Sequence, residues 1–377
     1  MRGVPRALVD AAALRHNLAR VRRAAPGSAV LAAVKADGYG HGLLRVAHTL
    51  SGRVEGFAVA RVDEAERLRA AGIVDRIVVL EGAAEPRQVA RARTLEVELV
   101  VHDRTQLELL EQAASGGPLR VWIKIDSGMH RLGFAPAEVG TVYARLRSLE
   151  TVVAPIPLLT HLACADIPDR ACTDGQIECF MRACEGLDGP RSLANSAGVL
   201  GFPGSHADCV RPGIMLYGVS PFEGRHGEQE GLRPVMEFVS ELISVKPLQR
   251  GGRVGYGGRW AAPVDTRIGV VAAGYGDGYP RHVPDGTPIL VNGRRVPLVG
   301  CVSMDMLTVD LGPEGDERVG DPVTLWGGGL PVEEIARAAG TIAYDLLCGL
   351  GTRRVMVEER GAVETSAVPQ AARSRQG

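Results

Sequence analysis

Residues 30–42 read VLAAVKADGYGHG and contain the clearest indication of the fold. Its first five residues, 30–34, form a short apolar run, which is typical of a buried strand. The run ends directly in Lys35, and a turn with three glycines follows. The stretch therefore predicts a strand that carries a charged side chain at its carboxyl end.

Seven further runs of this kind follow within the first 215 residues, and segments that favour helix lie between them. Alternating strands and helices predict a parallel sheet, and eight such units in about 200 residues predict an α/β fold of the (β/α)8 TIM-barrel type. A doubly wound sheet is the alternative, because the short runs near residues 158 and 192 could be miscounted. The eight predicted strands are residues 30–34, 56–59, 76–80, 97–101, 120–125, 158–160, 192–194 and 209–210.

From about residue 232 the pattern changes to β-branched runs separated by Gly, Pro, Asn and Asp. Asn292 and Gly293, between two of these runs, are typical of a two-residue hairpin turn. A short helix is predicted over residues 332–339. The sequence therefore predicts three parts: a barrel over 1–231, a mostly β domain over 232–360, and a polar, disordered tail over 361–377.

The composition argues against several classes of protein. Lys and Arg total 43 against 44 Asp and Glu, so the formal net charge is −1, whereas nucleic-acid-binding proteins usually carry a basic surplus. No stretch reaches the roughly 18 apolar residues of a membrane helix. The seven cysteines contain no Cys-x-x-Cys pair, which favours reduced thiols over a disulfide framework or a zinc site. We therefore predict a cytoplasmic protein that binds neither nucleic acid nor a membrane.

Polar side chains stand at the carboxyl ends of several predicted strands. They are Lys35 after the first strand, Lys124 in the fifth with Arg131 beyond it, His161 at the end of the sixth, Asn195 and Ser196 after the seventh, and Arg211 at the end of the eighth. The carboxyl ends of barrel strands meet at one mouth, where barrel enzymes build their active sites. One lysine alone would be an ordinary surface residue, so it is the whole pattern that predicts a site.

The residue types at this mouth indicate a cofactor. A lysine at an apolar strand end can have a lowered pKa and react as an amine nucleophile. Backbone N–H groups of residues 195–198 and 210–214 can bind a phosphate where a strand turns into a helix. Together these features predict pyridoxal 5'-phosphate held by the lysine. His161 and Asp166 lack metal-ligand spacing, so no metal site is predicted.

Nine short blocks, in order between residues 7 and 358, carry a resemblance to a known family. Those of the barrel are AVKADGYGHG (33–42), KIDSGMHRLG (124–133), THLA (160–163), ANSA (194–197) and VRPGIMLYG (210–218). Those of the second domain are VGYG (254–257), GYGDGYPR (274–281), VSMD (302–305) and AYDLL (343–347). With these blocks the chain resembles the alanine racemase family of fold-type III pyridoxal-phosphate enzymes. Cys301 departs from the basic residue common in that family before the 302–305 block, which leaves substrate preference open.

The resemblance implies interconversion of L-alanine and D-alanine, which supplies D-alanine for peptidoglycan. Racemisation needs one base on each face of the α-carbon, and the resemblance implies Lys35 for one face and Tyr256 for the other. The ordinary tyrosine pKa of about 10 is too high for a base near neutrality, so its phenolate needs the positive potential that His161 and Arg211 are implied to supply. Arg211 is also implied to face the pyridine nitrogen and keep it unprotonated, because adjacent positive charges repel.

The resemblance implies further roles for individual residues. Lys124 is implied to be a carbamylated N6-carboxylysine, an anion that holds Arg131 towards the substrate carboxylate and the cofactor. The implied cofactor-binding residues are Lys35, Tyr39, Arg131, His161, Asn195, Ser196, Arg211, Gly213, Ile214 and Tyr344. Arg131, Met304 and Tyr275 are implied to bind substrate, with Asp305 behind the Met304 loop. Because Tyr256, Tyr275 and Met304 belong to the second domain, the resemblance implies a head-to-tail homodimer with shared active sites.

Three other functions stay open on the sequence alone. One is a racemase for other small amino acids such as serine. Another is a pyridoxal-phosphate barrel decarboxylase, although such an enzyme is expected to carry an acidic residue where Arg211 stands. The third is a non-catalytic carrier of the cofactor, which is typically a single barrel without the domain that supplies Tyr256.

Overall fold

The computed structural model describes residues 3–113, 117–167 and 169–350 and the strand Met356–Glu359. The predicted disordered tail over 361–377 lies outside these residues. Among the helices of the described ranges, none is long and apolar enough to cross a membrane. The cytoplasmic location stays a prediction.

Eight short parallel strands form a sheet in which each strand lies beside its neighbour in the chain. The sheet closes because Ala29 and Val30 of the first strand pair with Cys209 and Val210 of the last. The N–H of Arg211 also donates to the carbonyl oxygen of Ala194 at 2.9 Å, which joins the last two strands. The strands are Ala29–Ala33, Gly56–Val59, Ile77–Val79, Glu98–Val101, Val121–Lys124, Leu158–Leu159, Arg191–Ser192 and Cys209–Val210. The predicted barrel is confirmed, and the doubly wound alternative is wrong because such a sheet stays open.

Helices surround the barrel. They are Ala11–Ala24, Leu43–Leu50, Val62–Ala70, Pro86–Thr94, Arg104–Gln112, Val139–Arg147, Arg170–Ala183 and Ser196–Gly201, with 3-10 turns at Pro136–Glu138, Pro203–Ser205 and Ile214–Tyr217. Side chains of a strand alternate between two faces. In the first strand, Val30 and Ala32 pack towards the helices, whereas Leu31 packs with Trp122 and Leu159 in a separate cluster inside the barrel. Both faces of the strands are therefore apolar, as the sequence runs predict.

The second sheet is mostly antiparallel. Its strands are Arg6–Val9, Met236–Leu248, Thr266–Val271, Pro288–Val291, Arg294–Pro297, Leu307–Asp310, Pro322–Trp326 and Met356–Glu359, beside a separate pair, Arg253–Val254 and Trp260–Ala261. Helices Val332–Ala338 and Ala343–Cys348 follow, and 3-10 turns lie at Gly227–Glu230, Tyr256–Gly258 and Tyr275–Asp277. The hairpin is confirmed, since Asn292 and Gly293 both have positive φ and join two paired strands.

The strand Arg6–Val9 is a feature that the sequence does not indicate. It pairs antiparallel with residues 236–239 and parallel with Met356–Glu359, so the chain begins in the second sheet before it enters the barrel. The two parts of the fold are thus connected by this strand as well as by the segment that follows the barrel.

Asn17 fixes the first helix against that segment. Its side chain is fully buried, and its Nδ2 donates to the carbonyl oxygens of Leu216 at 3.0 Å and Arg233 at 2.8 Å. Its Oδ1 accepts from the N–H of Arg233 at 2.8 Å. One amide therefore satisfies three backbone groups where the barrel gives way to the second sheet.

We expect Asn17→Ala to lower the free energy of unfolding by about 3 kcal/mol, because it leaves buried backbone groups unpaired. Urea unfolding followed by circular dichroism measures the change. Arg15→Ala, on the exposed face of the same helix, should change it by no more than about 0.5 kcal/mol. Equal midpoints for the two variants would contradict this role of Asn17.

Candidate active site

A cavity of about 1010 Å³ opens at the carboxyl ends of the barrel strands. It brings together most of the residues that the sequence predicts for the site. These are Lys35, Tyr39, Lys124, Arg131, His161, Asn195, Ser196, Arg211, Gly213, Ile214 and Tyr344. Tyr344 comes from a helix of the second domain, so both parts of one chain line this cavity.

Two of the three lysines in the whole chain, Lys35 and Lys124, line the cavity, and the third, Lys246, is exposed in the second sheet. The remaining 40 basic residues are arginines, since Lys and Arg total 43. An arginine cannot lose its proton in a protein, whereas a lysine can. In a chain that uses arginine almost everywhere else, two lysines at the mouth indicate chemistry that needs a neutral amine.

Positive charge accumulates in the cavity. Burial, followed by Arg211, Arg131 and Lys35, lowers the pKa of Lys124 to about 8. Burial and Arg131 likewise lower the pKa of Lys35, against a smaller opposite effect of nearby carboxylates. The pKa of His161 falls well below its usual range through burial and the same cations, so its imidazole is neutral at pH 7. The cavity therefore attracts anions and holds amines that lose a proton readily.

Arg211 is held rigidly at the end of the last barrel strand. Its guanidinium is buried and donates to the hydroxyl oxygen of Ser192 at 2.5 Å and to the carbonyl oxygen of Thr160. Burial lowers the pKa of Arg211 to about 10, which still leaves it charged near neutrality. Positive potential in this part of the cavity therefore comes from Arg211, while His161 contributes a neutral ring.

The turn that begins at Lys35 has an uncommon backbone. Ala36, Asp37 and Tyr39 all have φ of 53°, in the left-handed region, and Gly38 between them has φ of 64°. For a residue with a side chain this conformation costs roughly 1–2 kcal/mol. Strain of this kind persists only where surrounding contacts hold it, and it is concentrated at functional sites.

An aromatic stack supports Tyr39. Its ring lies on the ring of buried Tyr217 with centroids 4.6 Å apart, and the Tyr217 hydroxyl donates to the carbonyl oxygen of Ala33 at 2.9 Å. A Cβ added at Gly213 would lie 2.3 Å from the Tyr39 hydroxyl oxygen, so that position requires glycine. The Tyr39 hydroxyl is thus held directly against the backbone that follows the last strand.

Ser196 and Asn195 organise the same end of the barrel. The Ser196 hydroxyl oxygen accepts from the N–H groups of Gly213 at 2.9 Å and Met215 at 3.3 Å. The Oδ1 of Asn195 accepts from the N–H of Gly198 at 3.0 Å and so begins the helix Ser196–Gly201. Hydroxyl and backbone N–H groups therefore meet beside Tyr39 at the predicted phosphate position.

The remaining predicted residues, Tyr256, Tyr275, Met304 and Asp305, do not line the cavity of their own chain. Tyr256 is 73% exposed, Met304 52% and Tyr275 40%. The loops of Tyr275 and Met304 lie together, because the N–H of Tyr275 donates to the carbonyl oxygen of Ser303 at 3.0 Å and that of Gly276 to the carbonyl oxygen of Met304 at 2.8 Å. The turn that holds Tyr256 lies beside them, because a Cβ added at Gly255 would lie 3.5 Å from the backbone N of Cys301. The second domain thus presents them on one exposed surface.

Residues outside the sequence prediction also line or support the site, among them Tyr217, Glu64 and Cys348. Tyr217 lies within the 210–218 block, but the resemblance implies no role for it. Glu64 stands where the glutamate of a capping box stands, but the residue three before it is Arg61 rather than Ser or Thr, so the sequence pattern does not single it out. Cys348 lines the cavity near Lys35, and no sequence pattern indicates this.

The chain was compared with protein families, with characterised proteins and with solved structures. The family model of the alanine racemase N-terminal domain matches residues 9–221, and that of the C-terminal domain matches 235–358. The chain is 54% identical over 357 residues to the alanine racemase of Shewanella baltica strain OS185, across 95% of this chain and 99% of that protein. It is 53% identical over 348 residues to that of Halorhodospira halophila, across 92% and 96%.

Among solved structures, the biosynthetic alanine racemase from Pseudomonas aeruginosa matches with a TM-score of 0.91 and 47% identity, over 95% of this chain and 99% of that one. The alanine racemase from the D-cycloserine producer Streptomyces lavendulae matches with a TM-score of 0.88 and 33% identity, over 96% and 98%. The resemblance found in the sequence blocks is therefore confirmed in both domains and in the fold. The chain belongs to the alanine racemase family.

Proposed function

We propose that this chain interconverts L-alanine and D-alanine with two bases, Lys35 on one face of the substrate and Tyr256 of the partner subunit on the other. The observation that carries this proposal is the position of Lys35, half-buried at the barrel mouth with its pKa lowered by burial and by Arg131. Such a lysine loses its proton more readily than an exposed lysine, and its amine can then serve for covalent attachment and proton transfer. The D-alanine formed would supply peptidoglycan synthesis.

Alanine racemases depend on pyridoxal 5'-phosphate, and the cavity residues fit this cofactor. An amine that loses its proton readily suits an aldehyde, the cation-rich walls suit a phosphate, and Gly213 leaves room for the Tyr39 hydroxyl beside the Ser196 hydroxyl. When bound, the cofactor supplies an electron sink next to the α-carbon. The residues that would hold it are Lys35, Tyr39, Arg131, His161, Asn195, Ser196, Arg211, Gly213, Ile214 and Tyr344.

Arg211 favours racemisation over the decarboxylase alternative. Its guanidinium is charged and fixed by Ser192 and Thr160, so a ring nitrogen placed against it would stay unprotonated because two positive charges repel. A decarboxylase of this class is expected to carry a carboxylate at that position. We therefore assign Arg211 the role of keeping the reaction to proton removal and return.

The exposed positions of Tyr256, Tyr275 and Met304 support a head-to-tail homodimer. These side chains face outwards on their own chain, whereas the cavity opens at the barrel mouth of that chain. A second copy docked at the mouth would bring in Tyr256 as a base, the Met304 N–H for the substrate carboxylate and Tyr275 at the entrance. Asp305 would support the Met304 loop, and Arg131 would bind the carboxylate from the barrel side.

Lys124 is suited to carbamylation. Only a neutral amine reacts with CO₂, and the pKa of about 8 leaves roughly a tenth of Lys124 neutral at pH 7. The product is an anion placed among Arg131, Arg211 and Lys35, whose positive charges would stabilise it. The carbamate would hold Arg131 in place for the substrate.

We expect Tyr256→Phe to reduce racemisation by about 10²–10⁴-fold, because one general base is lost. In D₂O, exchange of the α-proton should persist for the enantiomer that Lys35 deprotonates and fall with racemisation for the other. Proton NMR of L-alanine and D-alanine, incubated separately with the enzyme, measures both rates. Tyr143→Phe is the matched control, because the Tyr143 hydroxyl donates to Asp188 away from the cavity. Full exchange of both enantiomers by Tyr256→Phe would contradict the two-base assignment.

Mixing two inactive variants tests whether the site is shared. When Lys35→Ala and Tyr256→Phe subunits are dissociated and reassociated in equal amounts, half of the dimers should be mixed, and each mixed dimer should hold one intact site. About a quarter of the wild-type activity should therefore return. The control mixes wild type with the double variant, which should leave about a quarter if sites are shared and about half if each chain is self-sufficient. No recovery in the first mixture would rule out the shared site.

The carbamate on Lys124 should give a carbonyl signal in ¹³C NMR when the protein is equilibrated with ¹³C-bicarbonate. The signal should decrease as the pH falls below about 8, because protonation removes the reactive amine. Lys124→Gln should abolish it, and Lys246→Gln should not. A signal that survives in Lys124→Gln would assign the modification elsewhere.

A further inference from the structure

We infer that Glu64 is the positioning residue of Lys35, a role that rests on the function proposed above for that lysine. Glu64 is 6% exposed and belongs to the helix Val62–Ala70, from which its carboxylate extends to the Lys35 turn. Its Oε1 accepts from the N–H of Ala36 at 2.8 Å. Its Oε2 accepts from the N–H groups of Ala60 at 2.7 Å and Arg61 at 3.3 Å. One side chain therefore joins the residue after Lys35 to the start of the helix Val62–Ala70.

The Ala36 contact lies where the backbone is strained. Ala36 is the first of the left-handed residues, and its peptide bond is shared with Lys35. A bond that holds this N–H fixes the plane of that peptide and so restricts the direction in which the Lys35 side chain leaves the backbone. Without it, the turn could relax towards ordinary backbone angles and move the amine.

Arg67 of the same helix holds the next residue of the turn. Its guanidinium lies 3.0 Å from the Asp37 carboxylate, which also accepts from the N–H of Leu43 at 3.1 Å. Residues three apart lie on one helix face, so Glu64 and Arg67 both contact the turn from the same side of the helix. On the other side, Nδ1 of buried His41 lies 2.8 Å from the carbonyl oxygen of Tyr39. Of these contacts, that of Glu64 is nearest in sequence to Lys35.

The charge of Glu64 also acts on Lys35. Burial and Arg131 lower the pKa of Lys35, whereas the negative charges of Glu81 and Glu64 raise it. The charge of Lys35 contributes to the lowered pKa values of Lys124 and His161, so the three residues interact electrostatically. Removal of the Glu64 charge should therefore lower the pKa of Lys35 further. A residue that supported the fold without acting on Lys35 would leave the pKa of Lys35 unchanged.

Glu64→Gln should break the contact with Ala36 and keep those with Ala60 and Arg61. A glutamine amide has one accepting oxygen, and the start of the helix offers two N–H donors against one at Ala36. The oxygen should stay with Ala60 and Arg61, which turns the NH₂ group towards the N–H of Ala36, donor against donor. Glu66→Gln is the matched control, because Glu66 lies on the same helix and its carboxylate pairs with Arg91 at 2.5 Å near the surface.

Two measurements test the inference on the full chain. Competitive labelling of the cofactor-free protein with an amine-reactive reagent across pH, read by mass spectrometry, follows Lys35 with Lys246 as an internal reference. The labelling midpoint of Lys35 should move to lower pH in Glu64→Gln. Titration with pyridoxal 5'-phosphate should show affinity weakened by about tenfold. Glu66→Gln should change neither, and wild-type values for both measurements in Glu64→Gln would overturn the inference.

Glu64→Asp covers the case in which Glu64→Gln does not fold. It retains the charge but is one methylene shorter, so it should leave the Lys35 midpoint near wild type and still weaken cofactor affinity. Unchanged affinity in this variant would also overturn the inference. A separate experiment tests the proposed role of Lys35 itself. Borohydride treatment of cofactor-loaded wild type should attach the cofactor to the peptide that contains Lys35. Attachment to another peptide would contradict the proposed function and leave the Glu64 measurements unaffected.

Discussion

Closure of the barrel is the constraint on which the site depends. The eight strands have only two to five residues each, and the first pairs with the last through Ala29–Cys209 and Val30–Val210. Because all strands run in one direction, their carboxyl ends must meet on one rim. Lys35, Lys124 and Arg211 are far apart in the chain, and closure alone brings them to one cavity. An open sheet of the same strands would keep the carboxyl ends on one edge but would place Lys35 and Arg211, on the first and last strands, at its opposite ends.

The cavity's chemistry follows from crowding cations in a partly buried space. Burial disfavours every charge, and each cation raises the cost of protonating its neighbours. Arginine keeps its proton under these conditions, whereas lysine releases it, so the lysines become the proton-exchanging groups while Arg131 and Arg211 stay charged. The same field attracts an anionic ligand. One arrangement thus produces both affinity for a phosphate and reactivity of the amines.

The strained backbone after Lys35 and the side chains that hold it belong to different strand–helix units of the barrel. The left-handed residues after Lys35 belong to the first strand–helix unit, but Glu64 and Arg67, which hold them, belong to the second. Tyr39 is supported by Tyr217 from the end of the barrel, and Gly213 leaves space for its hydroxyl. The geometry of one catalytic lysine therefore depends on segments that are distant in sequence, which is why a local pattern could not reveal it.

Local sequence patterns predict the strand order, the helices between strands, the Asn292–Gly293 hairpin and the polar residues of the mouth. These features are local, because side-chain period and turn chemistry are encoded within a few residues. Three placements become visible only in the folded chain: Arg6–Val9 joins the second sheet, Glu64 contacts the Lys35 turn, and Tyr256 lies outside its own chain's cavity. Such placements depend on which distant surfaces bury apolar area and complete backbone hydrogen bonds together, and neither is recorded in any single stretch of sequence.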